Sequence, residues 1–153
     1  MNFSTKKLKR LINIYPPYLG AGIKVIHINN DWKELHVSMK LKWYNRNIVG
    51  THFGGSLYSM IDPHLMIMLM NLLGRDYIVW DKSAEIEFVK ATKKRVVSKM
   101  KITDDEIAQI KENVDKHNKY LASFNVEIKD DEDNLIAKAK KVVYIRKKNA
   151  GRG

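Results

Sequence analysis

The 153-residue chain has no cysteine, only three prolines, and 17 acidic residues against 28 lysines and arginines. Without cysteine there is no disulfide, no thiolate metal ligand and no thiol nucleophile. The composition fits a reducing cytosol, the expected location. The shortage of acids leaves a formal charge of +11, which favours polyanions: nucleic acid, anionic lipid or a phosphate-bearing cofactor. No nucleic-acid motif accompanies the basic residues, and no basic run carries the interleaved aromatics that stack on bases. Long hydrophobic runs are also missing. The longest, Leu57–Leu73, is broken by Asp62, Pro63 and His64, and a membrane span needs roughly 20 apolar residues, so it reads as a buried helix. Lys6, Lys7, Lys9 and Arg10 lack the apolar core and cleavage site of a signal peptide. The five histidines are too scattered for a metal site, and neither a glycine-rich phosphate loop nor a serine nucleophile elbow occurs.

What remains is an ordinary globular composition, 44% hydrophobic and 29% charged, long enough for one domain with its own core. The expected domain spans 1–153, with residues 1–17 forming a helix and proline turn and 147–153 a flexible basic tail. Ser4 is placed to cap a first helix carrying Leu8, Leu11, Ile12 and Tyr15, which "YPPY" ends. Strands are expected at Ile23–Ile28, Glu34–Lys42, Ser83–Val89, Val96–Thr103, Tyr120–Ile128 and Leu135–Ile145. An apolar helix runs from about Gly54 to Leu73, and a polar one over Asp104–His117. Strands in pairs joined by tight turns indicate an antiparallel α+β domain.

The apolar helix bears hydrophobic residues around its whole circumference, so it must be enclosed. A single curved sheet would leave one flank open, which implies a second subunit. Inside that helix stands one acid, Asp62, before Pro63. Its apolar surroundings would leave the carboxylate poorly hydrated, suited to take a proton from water near neutral pH. The same dipeptide also reads as a helix restart, with Asp62 as N-cap and Pro63 at the first helical position, and as a kink. Gly54 and Gly55, at the helix start, leave backbone N–H groups free and permit close approach of a carbonyl or an anion. They also suit close backbone packing. Among the other polar candidates, Asn47, His52 and His64 read more simply as loop and core residues. Asp81 beside Lys82 reads as an exposed or subunit-bridging ion pair.

The stretch "NIVGTHFGGSLYSMID" resembles the signature of hotdog-fold acyl-CoA thioesterases of the phenylacetate-pathway type. Asn47, Gly50, Gly54, Gly55 and Asp62 match it, while Phe53 stands where those enzymes carry histidine. "LGRDYIVWDKSAEIEFVKA" is similar to a functionally unassigned branch of that superfamily, in which an apolar residue at that position is usual. The resemblance implies a hotdog fold, a curved antiparallel sheet around a central helix, assembled as a homodimer or a homotetramer built from dimers. It implies a thioester site between subunits, with the Gly54 amide polarising the carbonyl, Asp62 as base or nucleophile and Asn47 holding water. Gly55, Phe53 and Asp81 would lie near substrate, and Lys90 and Arg95, with Lys93 and Lys94, near the phosphates of coenzyme A. Coenzyme A enters as the substrate's carrier; no separate cofactor is expected. A non-catalytic acyl-CoA binder is the rival reading, and a basic nucleic-acid-associated protein a third.

Overall fold

The computed structural model describes residues 4–148. Helix α1 covers Thr5–Ile12, and Ser4 Oγ accepts from the Lys7 amide at 3.3 Å. "YPPY" ends α1 but also starts a second helix, α2 (Pro16–Ala21), which the sequence reading missed. First-turn amides need no helical acceptor, so prolines are tolerated there. Gly22, at φ 76°, closes α2 in the left-handed region.

Strands β1 (Ile23–Ile28) and β2 (Glu34–Met39) follow, then helices α3 (Gly54–Ser59) and α4 (His64–Leu73), and strands β3 (Tyr77–Phe88) and β4 (Val96–Lys101). Helix α5 (Asp104–His117) and strands β5 (Lys119–Asp130) and β6 (Leu135–Lys147) complete the chain. Strand β2 ends before the expected Lys42 because Asn45 takes over the backbone. Its side chain accepts from the Lys42 amide at 2.7 Å and donates to the Lys40 carbonyl at 3.0 Å. Helix α5 has its expected ends: a reciprocal cap between Thr103 and Glu106 starts it, and Asn118, at φ 62°, closes it. Lys147, assigned to the tail, closes β6; residues 149–153 of that tail lie outside the described residues.

All strands form one antiparallel sheet in the order β1-β2-β4-β5-β6-β3, which puts β1 and β3 at its edges. The inward residues Val25, Leu35, Val37, Met100, Val126, Ile128 and Val143 form one core with Leu65, Met68 and Leu69 of α4. Helix α4 buries its sheet-facing stripe, His64, Leu65, Met68, Leu69 and Leu73, and leaves Met66, Ile67, Met70 and Leu72 partly open. Sheet and helix together are the hotdog architecture. Among the described residues no helix is long and apolar enough to cross a membrane.

Candidate functional site

The apolar segment is two helices rather than one kinked helix. Proline has no N–H to continue the ladder and disfavours helical geometry in the residue before it. Accordingly α3 stops at Ser59, and Met60–Pro63 turn the chain, with a cis bond between Asp62 and Pro63. Pro63 itself occupies the N-cap of α4, and no side chain caps that helix. The alternative reading of Asp62 as an N-cap is therefore not met. Its carboxylate points instead to Lys141, with Oδ1 and Nζ 2.5 Å apart.

Lys141 went unnoticed in the sequence, yet its position was readable. In "AKAKKVVYI" a two-residue period puts Ala137, Ala139, Lys141, Val143 and Ile145 on one face. That face is the buried one, and Lys141 is only 1% exposed. An ammonium so enclosed requires charged partners, and a second one is present. Asp81 Oδ2 of β3 lies 3.3 Å from the same Nζ. Asp81 thus pairs with Lys141 instead of its neighbour Lys82, the extra residue of a β-bulge between Asp81 and Ser83.

Burial alone would lower the Lys141 ammonium. The hydrogen bond to Asp62 and the charges of Asp81 and Asp62 outweigh it and hold the group above its ordinary value. Burial pushes Asp81 up to about 6, helped by the Asp62 carboxyl and opposed by Lys141. Asp81 Oδ1 is buried without a hydrogen-bond partner among the described residues. Asp62 is less enclosed than its apolar sequence neighbours suggested: 39% of its side chain is exposed. The result is an open carboxylate oriented by a buried ammonium, with a second acid behind it.

A second pair braces the turn. The Tyr18 hydroxyl of α2 lies 2.7 Å from His64 Nε2 and 3.3 Å from the Asp62 carbonyl, to which it can donate. Burial drives the His64 imidazole down to about 3, so it stays neutral, and burial raises the Tyr18 phenol. His64 is a core residue, as expected. His52 is buried too, with Nε2 2.7 Å from the Lys94 carbonyl.

At the start of α3 the Phe53 amide donates to the Asn45 carbonyl, and the Ser56 and Leu57 amides return to the Phe53 carbonyl. The amides of Gly54 and Gly55 have no acceptor among the described residues. Two phenyl rings flank them. A Cβ on Gly54 would come 3.0 Å from Phe88 Cζ, and one on Gly55 only 2.5 Å from the Phe53 ring. Both rings are about half exposed. No hydrogen bond joins this pair to Asp62 within the described chain.

Asn47 is engaged in its own loop. Its Nδ2 donates to Thr51 Oγ1 (2.9 Å) and the His52 carbonyl (3.3 Å), while Oδ1 accepts from the amides of Val49 and Thr51. All four hydrogen-bonding capacities of the amide are thereby used to shape the turn. Of the basic candidates, Lys94 pairs with Glu132, Arg95 Nε donates to Ser38 Oγ at 2.8 Å, and Lys90 is exposed.

Residues 4–145 match the family model described as "Domain of unknown function (DUF4442)". No curated protein matches the chain. Among solved structures it is similar to the Pseudomonas aeruginosa protein PA5026, named a "Probable Thioesterase", with TM-score 0.81 and 14% identity over 97% of this chain and 99% of that one. It is also similar to the Haemophilus influenzae thioesterase HI1161 (TM-score 0.69, 10% identity, covering 100% and 97%). A third likeness is mouse thioesterase superfamily member 2 (TM-score 0.64, 16% identity, covering 94% and 98%). At these identities the likeness is one of fold. The chain belongs to the family described as domain of unknown function DUF4442, and it is built as the hotdog proteins of the thioesterase superfamily are.

Proposed function

We propose that this protein hydrolyses thioesters of coenzyme A or a related acyl carrier at a site completed by a second copy of the chain. The observation that carries the reading is Asp62: a half-open carboxylate fixed in direction by a fully buried lysine. In the assembled site Asp62 of one copy faces the Gly54 amide of the other. The exposed rings on and beside edge strand β3 and the open flank of α4 favour such pairing. A dimer, or a tetramer of dimers, is the expected form.

As general base, Asp62 takes a proton from water while the oxygen attacks the thioester carbon. The oxyanion is held by the Gly54 N–H, and a preorganised donor of this kind lowers the barrier by about 3 kcal/mol. Collapse breaks the C–S bond, the thiolate recovers the proton, and acid and thiol leave. As nucleophile, Asp62 would instead attack the thioester carbon and expel the thiolate, and water would open the resulting mixed anhydride to release the acid and restore the carboxylate. Lys141 holds the carboxylate in position in either role. Phe53 and Phe88, beside the free amides, supply apolar surface for the acyl group.

Phe53 also motivates the second reading, a non-catalytic acyl-CoA binder, because an aromatic ring replaces a polar neighbour at the glycine pair. The test is an acyl-CoA panel assayed for released thiol with the parent and Asp62→Asn. The hydrolase reading expects loss of at least about a hundredfold in the variant. Equal turnover in both removes Asp62 from the chemistry, and thermal stabilisation by acyl-CoA with no thiol from either establishes the binder.

A further inference from the structure

We propose that the outer face of β1 and β2 carries a binding groove for a phosphate-bearing ligand, at Lys24, Ser38, Lys40, Lys42 and Arg95. Its chemistry follows from strand geometry. Lys24 pairs directly across from Ser38, and Lys40 and Lys42, just past the end of β2, line the same groove. The inward alternates Val37 and Met39 are core, which fixes this face outward. Arg95, entering β4, crosses above Ser38 and donates Nε to its hydroxyl at 2.8 Å. The open groove measures about 380 Å³, a size that admits a small ligand.

Four cations line it and no carboxylate does. Among the described residues Lys24, Lys40 and Lys42 form no ion pair, whereas nearby Lys94 is matched by Glu132. Arg95 has its one acid, Asp131, at 4.0 Å, the limit of a direct pair. A guanidinium fork with three unpaired ammonium groups suits a doubly charged phosphate or a diphosphate better than a single carboxylate.

Backbone contacts tie the groove to the segment that precedes the glycine pair. Gly22 lines the groove, a Cβ there would clash with the Asn45 side chain, and the Asn45 carbonyl accepts from the Phe53 amide at 3.0 Å, one residue before Gly54. A ligand with phosphates at one end and an acyl group at the other would rest its charged end in this groove. Naming coenzyme A as that ligand rests on the thioester reading; the groove itself does not. Of the basic residues expected near phosphates, only Arg95 lines it, and Lys24, Lys40 and Lys42 join it.

The test is calorimetric titration of the full chain with coenzyme A and, separately, with inorganic pyrophosphate, at about 0.15 M salt to screen loose charge. Lys40→Gln with Lys42→Gln should weaken coenzyme A about tenfold or more. Lys99→Gln with Lys101→Gln, an equal change of charge on exposed lysines outside the groove, should alter it by less than about twofold. Pyrophosphate weakened in parallel marks a site for phosphate as such; coenzyme A weakened while pyrophosphate does not bind marks one that needs the nucleotide. Equal weakening by both pairs, or none by the groove pair, overturns the proposal. The groove pairs are read by affinity and the hydrolase by thiol release from the parent and Asp62→Asn, so failure of the hydrolase reading and failure of the groove give different results.

Discussion

At the scale of single residues, the centre of the molecule is Lys141. A buried lysine flanked by two acids is weak evidence for stability, since desolvating three charges offsets much of their attraction. What it does provide is direction: Asp62 cannot turn back to cap α4 while Nζ holds Oδ1. Asp81 is the acid left under-satisfied, with one oxygen buried and unpartnered among the described residues, and its behaviour with pH is predictable. In the unfolded chain Asp81 releases its proton near 3.8, whereas in the fold it keeps it to about 6. Between those values the folded state binds more protons, so this group lowers stability as pH rises from about 4 through about 6. Asp81→Asn removes that contribution. Urea midpoints at pH 4.5 and 7.5 should show the parent losing ground to the variant at the higher pH, and midpoints shifting in parallel would sink the assignment.

At the scale of elements, much of the architecture was legible because its signals are local and periodic. The alternation of Tyr120–Ile128, the carboxylate-rich first turn of α5 and the Ser4 cap all produced the structures they encode. Elements went astray where a tertiary partner decides. Strand β3 begins at Tyr77, six residues before the expected Ser83, because β6 supplies a partner for every residue but the bulged Lys82. "YPPY" was read as a stop alone, since proline carries both meanings until its neighbours are known. The Asp62–Lys141 contact joins residues 79 positions apart, so no local pattern announces it. Only the odd lysine on an apolar strand face hints at it. The start of α3 shows the same dependence: the glycines were visible, but not the rings over them. Gly55→Ala would place a methyl 2.5 Å from the Phe53 ring, an exposed group that can swing aside. Stability should change by no more than about 1 kcal/mol. The Michaelis constant for an acyl-CoA should rise several-fold if the ring forms part of the acyl seat, and an unchanged constant would place the acyl group elsewhere.

At the scale of the whole molecule, three observations ask for a second copy. Helix α4 leaves Met66, Ile67, Met70 and Leu72 only partly covered by its own sheet. Strand β3 ends the sheet with unpaired backbone along twelve residues, a long edge of the kind that invites pairing. On and beside it Trp80 and Phe88 expose about half their surface, and Phe53 does the same beside the free amides. Exposed aromatic side chains are enriched at interface cores relative to ordinary surface. Closed two-fold pairing is also the commonest way for identical chains to cover such a face. Sedimentation of the full chain should therefore give at least twice 17.8 kDa at micromolar concentration. Phe88→Glu, and separately Trp80→Glu, puts a charge where a ring would be buried, and each should shift the protein toward the single-chain mass with its circular dichroism intact. Thioester hydrolysis should fall with the dimer fraction, because Asp62 and Gly54 would no longer meet. A parent that sediments at 17.8 kDa and still releases thiol would show that one chain suffices, and the shared site would have to be abandoned.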